Sequence, residues 1–110
     1  QQIPIERTVL LGFSQGGAMA IASGCHLPLA GLIGCSPYPH PGWIPPSHRP
    51  PVLLLHGRQD DVVPFEASQK VIEYLKKTKL QAELIAFDGG HEIPQELLPS
   101  LHLALEKWCK

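Results

Sequence analysis

Three short segments of this 110-residue chain carry residue types that can act together as nucleophile, acid and base. The first is Gly12-Phe13-Ser14-Gln15-Gly16-Gly17, which fits the pattern G-x-S-x-G directly after an apolar run. A sharp strand-to-helix turn would hold such a serine in a strained backbone conformation and lift its hydroxyl clear of a sheet. On this reading the residues two positions either side come too close for a Cβ, which suits Gly12 and Gly16. The amide of Gln15, at the start of the following helix, can donate a hydrogen bond to an oxyanion. The chemistry this implies is attack of a serine hydroxyl on an acyl carbon.

The second segment is His56-Gly57-Arg58-Gln59-Asp60-Asp61-Val62-Val63-Pro64. A carboxylate here suits the acid that holds an imidazole in one tautomer and stabilises the imidazolium. Asp60 and Asp61 both qualify, and turns favour aspartate in any case. The third is Asp88-Gly89-Gly90-His91-Glu92-Ile93-Pro94, whose histidine can point back over a sheet edge as general base. His91-Glu92 also begins like the zinc pattern H-E-x-x-H. Gln95 stands where the second histidine belongs and Pro94 interrupts the helix, so no metal site is expected.

The elements that must position these groups alternate in type. Thr8–Gly12 reads as a strand buried on both faces, followed by a helix of small residues, Ala18–Ser23, ending near Gly24. Leu29–Cys35 reads as a second strand, and Ser36–Pro51, rich in proline, as an irregular loop. Pro51–His56 is the clearest strand. Pro64 can open a helix with Ala67, Val71, Tyr74 and Leu75 at helical spacing. Ala82–Phe87 is a fourth strand, and a last helix carries Leu101, Ala104, Leu105 and Trp108 on one stripe, with Pro99 either kinking or restarting it. This order predicts one α/β domain over residues 1–110, a parallel sheet of about four strands with crossover helices. Such sheets bind ligands beyond the C-terminal ends of their strands, where all three segments fall. Serine, acid and base follow one another in the chain order of α/β-hydrolases.

Composition excludes several other classes. A net charge of −1 without a basic run offers no footprint for nucleic acid, and no apolar stretch reaches the roughly 18 residues of a membrane span. No signal peptide is visible, although the chain starts at Gln1, so a leader could have been lost. Cys25, Cys35 and Cys109 form no C-x-x-C pair and read as small buried thiols of a reducing compartment, which predicts a cytoplasmic protein. No cofactor is called for. His26, His40, His48 and His102 show no partner pattern, His56 reads as a structural strand end, and Arg58 as a cation that either meets a charged substrate group or, the preferred reading, stays in solvent.

Together, Gly12-Phe13-Ser14-Gln15-Gly16-Gly17, His56-Gly57-x-x-Asp60-x-x-Val63-Pro64 and Gly90-His91-Glu92-Ile93 resemble the phospholipase/carboxylesterase family, which includes acyl-protein thioesterases. The resemblance implies an α/β-hydrolase fold, of which this chain would be the C-terminal half. It implies hydrolysis of a carboxylic ester or thioester, on a small molecule or an acyl chain. Ser14 would be the nucleophile, His91 the base, Asp60 rather than Asp61 the acid, and Gln15 one oxyanion donor. The other donor, from a His-Gly-rich loop after an early strand, is absent from this sequence.

A half-sheet of this kind leaves Thr8–Gly12 as an edge, which the missing N-terminal half, another chain or a second copy would cover. Trp43 and Ile44, in the proline-rich loop, either line the acyl or alcohol pocket or staple that loop to the body. Two alternatives stand beside the esterase: a catalytically impaired fragment acting as a binding or structural module, and a peptidase or acyltransferase using the same triad.

Overall fold

The computed structural model describes residues 4–41 and 43–108. Four strands form one parallel sheet in sequential order: β1 (Val9–Phe13), β2 (Gly31–Cys35), β3 (Val52–Gly57) and β4 (Ala82–Phe87). Three helices link or follow them: α1 (Gln15–Gly24), α2 (Phe65–Lys77) and α3 (Leu98–Trp108). The structure is the expected α/β half-sheet.

The continuous apolar runs follow from a sheet covered on two sides. Leu32, Val52 and Leu54 face α1 and α2, forming one core with Ile21, Cys25, Val71, Leu75 and Leu80. The alternate positions Ile33, Cys35, Leu53 and Leu55 turn to the other face and pack with Leu101 of α3. With side chains alternating along each strand and both faces dry, no polar alternation survives in β2 and β3. Small residues let α1 lie close to the sheet. A Cβ on Gly24 would run into the Leu32 side chain, so this glycine reflects a close approach.

Some elements differ from the sequence reading. β1 lies at an edge of the sheet, paired to β2 alone, and Leu11 and Phe13 are 50% and 38% exposed. It is therefore not buried on both faces, because α3 covers Val9 but does not extend over the rest of the strand. β2 starts at Gly31, where the Trp108 ring packs so closely that a Cβ would collide with it. The chain is restarted before Pro99. A 3₁₀ turn, Gln95–Leu97, leads into α3, and Pro99 occupies the first turn, where its missing N–H leaves no bond unmade. On α3 Leu101 is buried, with Ala104, Trp108 and the preceding Leu97 half-buried beside it, while Leu105 is 39% exposed. Cys25 and Cys35 are free and buried, which pushes each thiol pKa up to about 11; Cys109 lies outside the described residues.

Candidate active site

Ser14 follows β1 and caps α1 with φ 57° and ψ −118°. A positive φ in a residue with a Cβ is strained, and persists only where the surroundings impose it. Here the Ser14 amide donates to the Cys35 carbonyl at 2.7 Å, prolonging the β1–β2 ladder by one bond, and the Ser14 carbonyl accepts from Ala18 at 3.1 Å, starting the helix. The turn leaves no room at Gly12, where a Cβ would collide with the Gly16 carbonyl. Gly16 itself differs from the sequence reading. A Cβ there meets nothing within 4 Å, because this position of the first turn of α1 faces outward. The amide of Gln15 is the first of the helix, at the end where the backbone dipole favours negative charge.

Asp60 and His91 come from the loops after β3 and β4. These two loops are stitched together by backbone bonds, from Arg58 to the Phe87 carbonyl at 2.8 Å and from Gln59 to the Gly89 carbonyl at 3.0 Å. Gly57 permits the approach, since a Cβ on it would overlap the carbonyls of Gly89 and Gly90. The Asp60 carboxylate is thereby aimed with both oxygens in use. Oδ1 accepts from the amides of Val62 and Val63 at 2.9 and 2.8 Å, and Oδ2 accepts from His91 Nδ1 at 2.8 Å. Burial pushes the Asp60 pKa up. The His91 hydrogen bond, the Val63 and Val62 amides and the charge of a protonated His91 outweigh that, so the carboxyl titrates below its ordinary value. Asp61 is exposed.

The His91 ring stacks at a tilt against Phe13, with centroids 4.7 Å apart, which sets it beside the residue preceding Ser14. Asp60 and His91, the acid and base expected from the sequence, are thus brought together as a hydrogen-bonded pair. Among the described residues, no hydrogen bond joins the Ser14 hydroxyl to His91. Such contacts often close only when substrate is bound.

The other side chains singled out from the sequence have partners of their own. Trp43 packs against the α1–α2 core and stacks on Tyr74, with centroids 4.8 Å apart. Ile44 is 63% exposed and its carbonyl accepts from the Tyr74 hydroxyl. Arg58 pairs with Asp88 at 2.9 Å on the surface. A cavity of about 770 Å³ opens between the β3–β4 sheet and α3, lined by Leu53, Ile85, Leu103 and Trp108, and none of Ser14, Asp60 and His91 borders it.

Sequence reasoning missed the company that Asp60 keeps. His56 is fully buried, its Nε2 lies 2.7 Å from the Val63 carbonyl and 3.4 Å from Asp60 Oδ2, and its Nδ1 meets the hydroxyl of buried Ser68. The signal was a buried-strand histidine four residues before Asp60, followed by a serine on the inner face of α2.

Known proteins bear on this geometry. Carboxylesterase SOBER1 of Arabidopsis thaliana is 32% identical over 96% of the chain, which corresponds to 48% of that protein. Its crystal structure superposes with a TM-score of 0.87, covering 98% of this chain and 56% of the other. Acyl-protein thioesterase 1 of Gibberella zeae is 35% identical over 84% of the chain and 44% of its own length. The crystal structure of esterase PE8 matches with a TM-score of 0.85 and 34% identity, over 96% of this chain and 52% of that one. The chain therefore spans about half the length of these relatives. The phospholipase/carboxylesterase pattern itself runs through residues 1–109, and the chain belongs to that family.

Proposed function

We propose that the protein to which this chain belongs is a serine hydrolase that cleaves carboxylic esters or thioesters through an acyl-enzyme. The observation that carries the reading is the hydrogen bond from His91 Nδ1 to Asp60 Oδ2 at 2.8 Å, at the same sheet edge as a serine with φ 57°. Held by Asp60, His91 keeps its Nε2 free to take the Ser14 proton as the hydroxyl oxygen attacks the acyl carbon. The same nitrogen then returns the proton to the leaving alcohol or thiol. Water, deprotonated by His91, attacks the acyl-serine, and as the acyl–oxygen bond breaks His91 returns that proton to Ser14 Oγ and the acid is released. The Gln15 amide stabilises the oxyanion in both steps, and the family resemblance assigns the second donor to the half of the relatives that this chain does not span.

The cytoplasmic location and a small or acyl-chain substrate belong to the same proposal. They are supported by the free, buried Cys25 and Cys35 and by the names of the relatives. So does cover for β1, whose Leu11 and Phe13 are exposed, by the N-terminal half of a longer protein, another chain or a second copy.

The test is covalent labelling of the full-length protein with a fluorophosphonate, together with turnover of p-nitrophenyl esters. Both should be lost in Ser14→Ala. Labelling that persists in that variant, or a folded wild-type protein that never labels, would overturn the reading. The second outcome would favour a binding module that keeps the fold without the chemistry.

A further inference from the structure

Asp60 is approached by two imidazoles, and the reaction uses only one of them. His56 closes on Asp60 from beneath, near the end of β3, with no exposed surface. A carbonyl oxygen only accepts, so the 2.7 Å contact with Val63 requires the hydrogen on His56 Nε2. In the neutral ring Nδ1 must then accept, and the Ser68 hydroxyl donates to it. Ser68 is itself fully buried on α2, so water does not compete for either partner. Phe65 meets the imidazole edge-on, with centroids 5.6 Å apart, and limits rotation of the ring. Val63 is thereby gripped twice: its amide on Asp60 Oδ1, its carbonyl on His56. The same Nε2 nitrogen lies 3.4 Å from the Asp60 oxygen that accepts from His91.

We propose that His56, fixed in its Nε2–H tautomer by the Val63 carbonyl and anchored at Nδ1 by Ser68, is a positioning residue for the acid of the triad. It fixes the Val62–Val63 turn that aims the Asp60 carboxylate and gives Oδ2 a second polar neighbour, so that this oxygen stays directed at His91. The inference rests on the hydrolase reading and adds to it a part for two residues that touch neither the nucleophile nor the base. Satisfied buried networks of this kind rigidify the groups they hold, and a half-satisfied one loosens them.

The experiment compares His56→Gln, His56→Asn and Ser68→Ala in the full-length protein. The readouts are kcat and KM for a p-nitrophenyl ester, per active site titrated with fluorophosphonate. A glutamine amide reaches the place of Nε2 and can still donate to Val63, whereas asparagine stops near Nδ1 and reaches only Ser68. His56→Asn should lower kcat by about 10–100-fold at nearly unchanged KM, the scale typical of an outer partner to a reacting group. His56→Gln should recover most of the loss, and Ser68→Ala should fall between the two. A kcat per active site in His56→Asn equal to wild type overturns the proposal, as does equal loss in the glutamine and asparagine variants. If His56→Asn does not fold, Ser68→Ala decides: a reduced kcat at constant KM supports the role and a wild-type kcat overturns it. A wild-type protein that neither labels nor turns over would instead overturn the hydrolase reading, and this inference with it.

Discussion

Asp60 Oδ2 accepts a hydrogen bond from His91 Nδ1 at 2.8 Å although 31 positions separate the two residues in the chain. The neighbouring carboxylate, Asp61, is exposed. The pair therefore separates two aspartates that sequence alone leaves nearly equivalent. Asp60→Asn should lower kcat of the full-length protein by up to about 10⁴-fold, as when an orienting acid is replaced by an amide that favours the wrong tautomer. Asp61→Asn should stay within a few-fold of wild type in the same ester assay. A reversed order would reassign the acid.

The donors around Asp60 also predict how stability follows pH. Its carboxyl titrates below its ordinary value when folded, so between the folded and unfolded pKa values the unfolded chain binds more protons. Stability from this group is therefore fully present above the ordinary carboxylate pKa of about 3.9 and is lost as pH falls through the lower folded value. Urea midpoints of wild type and Asp60→Asn should differ most near neutral pH and converge in acid. A difference that stays constant with pH would contradict this assignment of the shift.

The two glycines flanking Ser14 should respond in opposite ways. Gly12→Ala places a methyl group against the Gly16 carbonyl, so the turn must open and both folding stability and fluorophosphonate labelling should fall sharply. Gly16→Ala meets open space on an exposed helical turn and should be neutral or stabilise by up to about 1 kcal/mol. Thermal melts of the two variants decide the matter.

Trp43 stacks on Tyr74 against the α1–α2 core. Trp43→Ala should lower stability by about 3 kcal/mol, near the lower end of the range for truncating a buried aromatic. The preference among p-nitrophenyl esters of different acyl length should not change. A shifted chain-length profile with an unchanged Tm would show that the loop lines the substrate pocket after all.

Much of this was legible locally. The bounds of β4, Ala82–Phe87, coincide with the expected ones, and β2 and β3 stand out because strands dry on both faces leave uninterrupted apolar runs. β1 has the same kind of run, yet exposes Leu11 and Phe13, because composition cannot show that a strand has a neighbour on one side only. Gly16 looked as constrained as Gly12, and only the direction of the first helical turn tells them apart.

The sequence by itself determined the kinds of element, their order, and that Ser14, Asp60 and His91 each follow a strand, because apolar runs, glycine turns and helix starts act over a few residues. The tertiary structure alone decided which groups meet. It brings the Asp60 and His91 loops into hydrogen-bonding range by letting the backbone at Gly57 touch Gly89 and Gly90. It also turns His56 inward to Ser68, Val63 and Asp60. Contacts of this kind depend on register and crossover packing across the whole sheet, and no local pattern of residues encodes them.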